Sequence, residues 1–139
     1  MKNLIIHIQP VIKFHPGHAG IGIVICAEDG TTLNEHGEYI GEKTNFQAYY
    51  MAAIKALELA EIYLPEKVEL HTNNLIVVNQ LNKTSMVNKP ELKKLYYQVV
   101  KSPLYERCSF RFTKGKHKIA NMIAKQALEE ALIGLERKI

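Results

Sequence analysis

The sequence predicts an α/β domain: a five-stranded mixed sheet, made of a three-stranded antiparallel meander plus two further strands, flanked by helices. Three observations carry this. Within the first 40 residues, three strand-like runs are separated by Gly, Pro and Asp turn signals. After them, helical and strand-like patterns alternate, and a helical crossover returns the next strand parallel to an earlier one. No repeat, linker or low-complexity tract divides the 139 residues, so residues 1–139 read as one domain.

The elements follow in order. Residues 4–9 (LIIHIQ) read as a first strand, too apolar to expose either face fully. Residues 10–18 read as a loop carrying Pro16-Gly17. Residues 20–27 (GIGIVICA) form the second strand, closed by Asp29-Gly30, and residues 31–40 the third, with Gly37 as a candidate bulge. Thr44 or Asn45 caps a helix from about residue 46 to Leu64, stopped by Pro65. Phe46, Tyr50, Ala53, Ile54, Leu57, Ala60 and Leu64 form its apolar stripe. Residues 67–72 make a fourth strand that runs straight into a short helix, and Pro90 opens another helix. Residues 107–113 alternate as a fifth strand. A last helix begins near Ile119, with Ala120, Ile123, Ala124, Ala127, Ala131 and Leu135 on one stripe.

Charge narrows the chemistry. Lys and Arg number 18 against 14 acids, a net charge of +4, which permits a polyanionic partner without requiring one. The acids are 13 Glu and one Asp, Asp29, in a turn. Sites for Mg²⁺ and Mn²⁺ gather several carboxylates, so an aspartate-built site is excluded and a glutamate-built one needs convergence. No metal and no cofactor are expected. Cys26 and Cys108 have no CxxC spacing, which argues against a zinc cage or a disulfide framework. No apolar run approaches the ~20 residues that cross a bilayer. The first residues lack a signal-peptide core, and a cytoplasmic location is expected.

Four segments carry a resemblance. Residues 18–25 (HAGIGIVI) resemble a PAGIGVVI strand, and residues 41–48 (GEKTNFQA) the GxxTNNxAE opening of a long helix. Residues 71–81 (HTNNLIVVNQL) resemble TDSxLVVNQL, and residues 120–127 (ANMIAKQA) a closing ADxLAxxA helix. Together, in this order, they are similar to the type 1 ribonuclease H family, in its reverse-transcriptase-like branch, over nearly the whole chain. The resemblance implies a ribonuclease H-like fold. It also implies a reaction in which two metal ions, held by four carboxylates, cut the RNA strand of an RNA–DNA hybrid. Carried over position by position, those carboxylates fall on Gln9, Tyr49, Asn73 and Asn121. Gln and Asn bring no net charge, and a tyrosine holds its proton to pH ~10. The chain is therefore expected to be a pseudoenzyme, not an enzyme, that keeps weak binding to RNA, DNA or their hybrid. The second reading is a protein-interaction or dimerisation module.

The remaining signals are weaker. The family's DGAxxGNPG loop falls on residues 9–17, where Phe14 replaces a glycine and His15 an asparagine. Phe14 opposes close approach of a hybrid backbone, yet an exposed aromatic can stack on a base. Lys13, His15, Thr44, Asn45, Asn74, Lys114, Lys116 and Lys118 are the candidate nucleic-acid contacts. Thr44 and Asn45 are also ordinary N-cap residues. The lysines around His117 oppose the helix dipole they precede, so helix stability does not explain them. His7 and His71 fall on paired strands. They are expected either to lie buried and hydrogen-bonded or to share a zinc ion or a proton.

Overall fold

The computed structural model describes residues 2–14 and 17–138. Five strands, β1 (Asn3–Lys13), β2 (Gly17–Ala27), β3 (Thr32–Lys43), β4 (Lys67–Thr72) and β5 (Cys108–Phe112), form one sheet in the order β3-β2-β1-β4-β5. The first three are antiparallel neighbours, whereas β4 runs parallel to both β1 and β5. The helices are α1 (Asn45–Ala60), α2 (Leu75–Leu81), α3 (Pro90–Val100) and α4 (Lys118–Arg137). The mixed sheet and flanking helices are those the sequence predicts.

Strand alternation splits the molecule into two layers around the sheet. Leu4, Ile6 and Ile8 of β1, with Ile21, Ile23 and Ile25 of β2, are buried in a core shared with α1, α2 and α3. The other face is narrower. There α4 crosses β1, β2 and β3 through buried Ala120, Ala124 and Leu128. Its approach depends on missing side chains: a Cβ at Gly22 would lie 1.8 Å from the Ala120 carbonyl oxygen, and one at Gly20 2.4 Å from that of Ala124.

Four local expectations are corrected. Residues 10–13 and 17–18 are strand and not loop, because β1 and β2 continue as paired neighbours as far as the Lys13↔His18 pair. Pro10 is tolerated because it lies beyond the last β1–β4 pair, His7↔His71, where the strand has one neighbour only. Gly37 is not a bulge. It pairs with Gly22, and the register shifts fall between Ala19 and Gly20 and between Ile25 and Cys26. A Cβ at Gly37 would meet the Ile123 side chain at 2.7 Å, so α4 again sets the requirement. The long helix ends at Ala60, and a 3-10 turn brings Leu64 into a left-handed conformation. The last helix likewise departs from its stripe, with Leu135 exposed.

Candidate nucleic-acid interface

The fold brings the four singled-out positions to neighbouring element ends. Gln9 lies on β1 just past its pairing with β4, and Asn73 directly follows β4. Tyr49 sits in the second turn of α1 and Asn121 in the first turn of α4. Tyr49 Oη donates to Asn73 Oδ1 at 2.7 Å, and Gln9 Nε2 donates to the Pro10 carbonyl at 3.3 Å. Gln9 is 2% exposed. Burial pushes the Tyr49 phenol above its ordinary range, with the facing Gln9 amide partly offsetting it. Asn121 Oδ1 is buried without a partner among the described residues. The Gln9, Tyr49 and Asn73 cluster is neutral, two amides and a phenol that is a hydrogen-bond donor, and Asn121 adds no charge.

These residues do not fit a pair of hard divalent ions. Such ions need anionic oxygens. The phenol is held protonated, and no acid stands at any of the four positions. Among the described residues, no group of three or more His, Cys, Asp or Glu side chains is arranged to hold a metal ion.

A histidine cluster lies alongside. The rings of His7 and His71 are 5.2 Å apart, and His117, which the sequence reading missed, stacks on His7 at 4.1 Å with an interplanar angle of 15°. The stacked His7 and His117 rings cannot both direct in-plane lone pairs at one ion, and His7 and His71 have no third ligating side chain arranged with them among the described residues. His117 Nδ1 accepts from the Ala120 N–H at 3.2 Å and caps α4. That role requires the neutral ring. His71 Nε2 lies 3.3 Å from Glu69, while its Nδ1 is buried without a partner among the described residues. The expected burial therefore holds only in part. A signal for His117 was present in its place just before the last helix, but a cap is usually read from Ser, Thr, Asp or Asn.

Burial, then His117 and then His71 hold the His7 pKa well below 6.5, at about 4. The unfolded chain therefore takes up this proton first. The contribution to stability is complete above about pH 6.5 and is lost as the pH falls towards 4. Solvent screens a half-buried ring, so the loss should be on the order of 1–2 kcal/mol. Urea unfolding at pH 7 and pH 4 should show a larger loss for the parent chain than for His7→Gln. Equal losses would refute this.

The candidate contacts fall into two groups. Thr44 and Asn74 are engaged as caps. Thr44 Oγ1 accepts from the Gln47 N–H at 3.2 Å, with Gln47 Oε1 accepting from the Thr44 N–H, and Asn74 Oδ1 accepts from the Val77 N–H at 3.1 Å. Lys13, Asn45, Lys114, Lys116 and Lys118 are exposed. His15 lies outside the described residues. Phe14 keeps the backbone of a glycine, with φ at +69°, and is 78% exposed. For a residue with a Cβ that conformation costs about 1–2 kcal/mol. A cleft of about 610 Å³ opens beside it, lined by residues that include Gln9, Phe14, Asn45, Phe46, Tyr49 and Lys116, with no carboxylate among them.

The family model described as "Reverse transcriptase-like" matches residues 10–127. The chain belongs to this family. Among relatives, it is 29% identical to a ribonuclease H of Chlorobaculum parvum over 126 residues, 82% of this chain and 84% of that protein. It is 38% identical to ribonuclease HI of Halobacterium salinarum over 80 residues, 58% of this chain. That match spans only 40% of the Halobacterium protein's length. Among solved structures, LC11-RNase H1 in complex with RNA/DNA hybrid superposes with a TM-score of 0.87 at 31% identity, over 93% of this chain and 99% of that one. RNase H1 from Halobacterium salinarum gives 0.82 at 27% identity, over 92% and 98%.

These likenesses correct one expectation drawn from the residues. The chain was expected not to be an enzyme because its four singled-out positions carry no acid. Its curated relatives and the structural neighbours named above are ribonucleases H, and they share its fold. Residue types at four positions are a statement about metal affinity, not about the presence or absence of activity. Among the described residues, no helix is long and apolar enough to cross a membrane.

Proposed function

We propose that this ribonuclease H-like chain binds nucleic acid, with RNA/DNA hybrid as its ligand, across the face formed by the β1–β2 hairpin tip, the start of α1 and the loop before α4. The observation that carries this is the carboxylate-free cleft between those elements, with Lys116 on its lining and exposed Lys13, Lys114 and Lys118 within two residues of a lining residue in sequence. A polyphosphate strand meets cations there and no buried anion to repel it. The neutral Gln9, Tyr49 and Asn73 cluster contributes hydrogen-bonding groups without charge. Support from relatives comes from LC11-RNase H1, a neighbour in complex with RNA/DNA hybrid. Lys13, His15, Thr44, Asn45, Asn74, Lys114, Lys116 and Lys118 remain the proposed contacts, with Thr44 and Asn74 acting through the helix ends they cap.

Hybrid binding measured by fluorescence anisotropy across a salt series tests the proposal. Affinity should fall steeply with salt. Replacing Lys114, Lys116 and Lys118 by Ala should flatten the log–log slope by roughly one unit per lost phosphate contact, whatever the base sequence. An unchanged slope would make the run a solvated loop.

A protein partner is the second reading, and one feature favours it. A groove of about 760 Å³ between α1, α3 and β3 carries both signs of charge, with Lys43, Lys55 and Lys94 near Glu38, Glu58 and Glu91. Mixed charge suits a protein surface better than phosphate. Salt-insensitive or absent hybrid binding would favour this reading.

A further inference from the structure

Phe14 is not accounted for by phosphate binding. It is a large aromatic, 78% exposed, at the end of the hairpin strand that also carries Gln9. It contributes nothing to the core, yet it lines the cleft together with two further aromatic rings, Phe46 and Tyr49 of α1. Gln9, almost fully buried, also lines that cleft, as do exposed Asn45 and Lys116. The volume, about 610 Å³, falls within the roughly 300–1,000 Å³ of small-ligand sites.

This combination matches one chemical group. A nucleobase has flat π-faces for the rings, a polar edge for amides and a phosphate close by for a lysine. A base inside a duplex does not qualify, because its neighbours cover both faces and its partner occupies its edge. An apolar protein side chain matches the rings but leaves the exposed Asn45 amide and the lysine unanswered. An acidic side chain answers the lysine alone.

We propose that the cleft takes one unpaired nucleobase of a bound strand, stacked on Phe14, with its neighbouring phosphate on Lys116. This rests on the nucleic-acid reading above and adds that the strand is held with a base out of its helix. The exposed ring at Phe14 then acts as the stacking platform, and the neutral residues at Gln9 and Tyr49 leave the base without a repelling charge. A carboxylate at either position would place an anion against the phosphate that follows the base.

The chain contains no tryptophan, so Phe14→Trp supplies a unique fluorophore at the site. The full chain carrying it is titrated with a short oligothymidylate and, separately, with the same strand in a blunt-ended RNA/DNA hybrid. Anisotropy of a dye on the nucleic acid reports binding independently. Quenching of the tryptophan is expected with the single strand and not with the blunt hybrid. Phe14→Ala should weaken single-strand binding about tenfold, as the loss of one base–aromatic stack implies, while Phe14→Tyr retains it and hybrid affinity does not fall. Because the side chain is exposed, these variants should fold as the parent does, and circular dichroism checks this. Single-strand binding without quenching, or equal weakening of strand and hybrid by Phe14→Ala, overturns this inference alone. Absence of binding to either ligand overturns the nucleic-acid reading and this inference with it.

Discussion

The variant carrying Gln9→Asp, Tyr49→Glu, Asn73→Asp and Asn121→Asp is expected to lose about 4 kcal/mol of stability in chelator and to regain much of it in millimolar Mg²⁺. The loss has two sources. The Tyr49–Asn73 hydrogen bond disappears, and four like charges gather where Gln9 is 2% exposed and Asn121 Oδ1 is buried. Like charges at such separations cannot all remain ionised without a counter-cation, so the acids are driven towards protonation. Divalent ions reverse the penalty because they supply that counter-charge. Urea midpoints with and without Mg²⁺ decide the matter, with the parent chain showing no comparable shift. Hybrid cleavage by the variant should exceed that of the parent chain. It should rise further with Phe14→Gly, which removes both the bulk and the strained backbone at the hairpin tip. In-line attack tolerates little misplacement, and small displacements cost ~100-fold. A variant whose midpoint ignores Mg²⁺ would mean that the four side chains do not converge.

The second large effect concerns the helix on the opposite face of the sheet. Gly22→Ala is expected to destabilise the chain by about 3 kcal/mol, near the upper end of overpacking costs. Its Cβ would lie 1.8 Å from a backbone carbonyl oxygen, which cannot rotate away as a side-chain tip can. All of α4 must lift, and Ala120 and Ala124 lose their contact with the sheet. Because α4 positions Asn121 and the His117 cap, hybrid affinity should fall along with stability. Gly134→Ala serves as the control. It lies within the same helix with nothing within 4 Å of its Cβ, and it should stabilise by up to about 1 kcal/mol. Thermal midpoints of the two variants should therefore move in opposite directions. A neutral Gly22→Ala would show that α4 is more loosely seated than these distances allow.

Much of the fold was legible because its signals are local. The alternation in residues 107–113, Thr44 at a helix start, and Pro90 at another each act through neighbours within a turn or two. The errors occurred where a distant element decided the outcome. Pro10 looks like a breaker in sequence, but the strand has a single neighbour there, so no ladder is broken. Gly37 looks like a bulge, yet it is small because Ile123, more than 80 residues away, packs against it. In the same way the four uncharged positions suggested the loss of activity, a property of the whole protein that residue types at four sites do not determine.

The sequence by itself determined the strand and helix types, the family and the charge of the site, since these depend on residue identity, period and order. It also showed which residues fall where the family keeps its acids. Only the tertiary structure decided what those residues do now. Tyr49 and Asn73 are 24 positions apart, and only the packing of α1 beside the end of β4 places their atoms 2.7 Å from each other. His117 stacks on His7 across 110 residues because α4 is drawn down onto glycines of β2. Phe14 is exposed where the strand pairing ends at Lys13 and the chain takes a left-handed backbone. Contacts of this kind depend on chain geometry across the sheet, which no window of neighbouring residues contains.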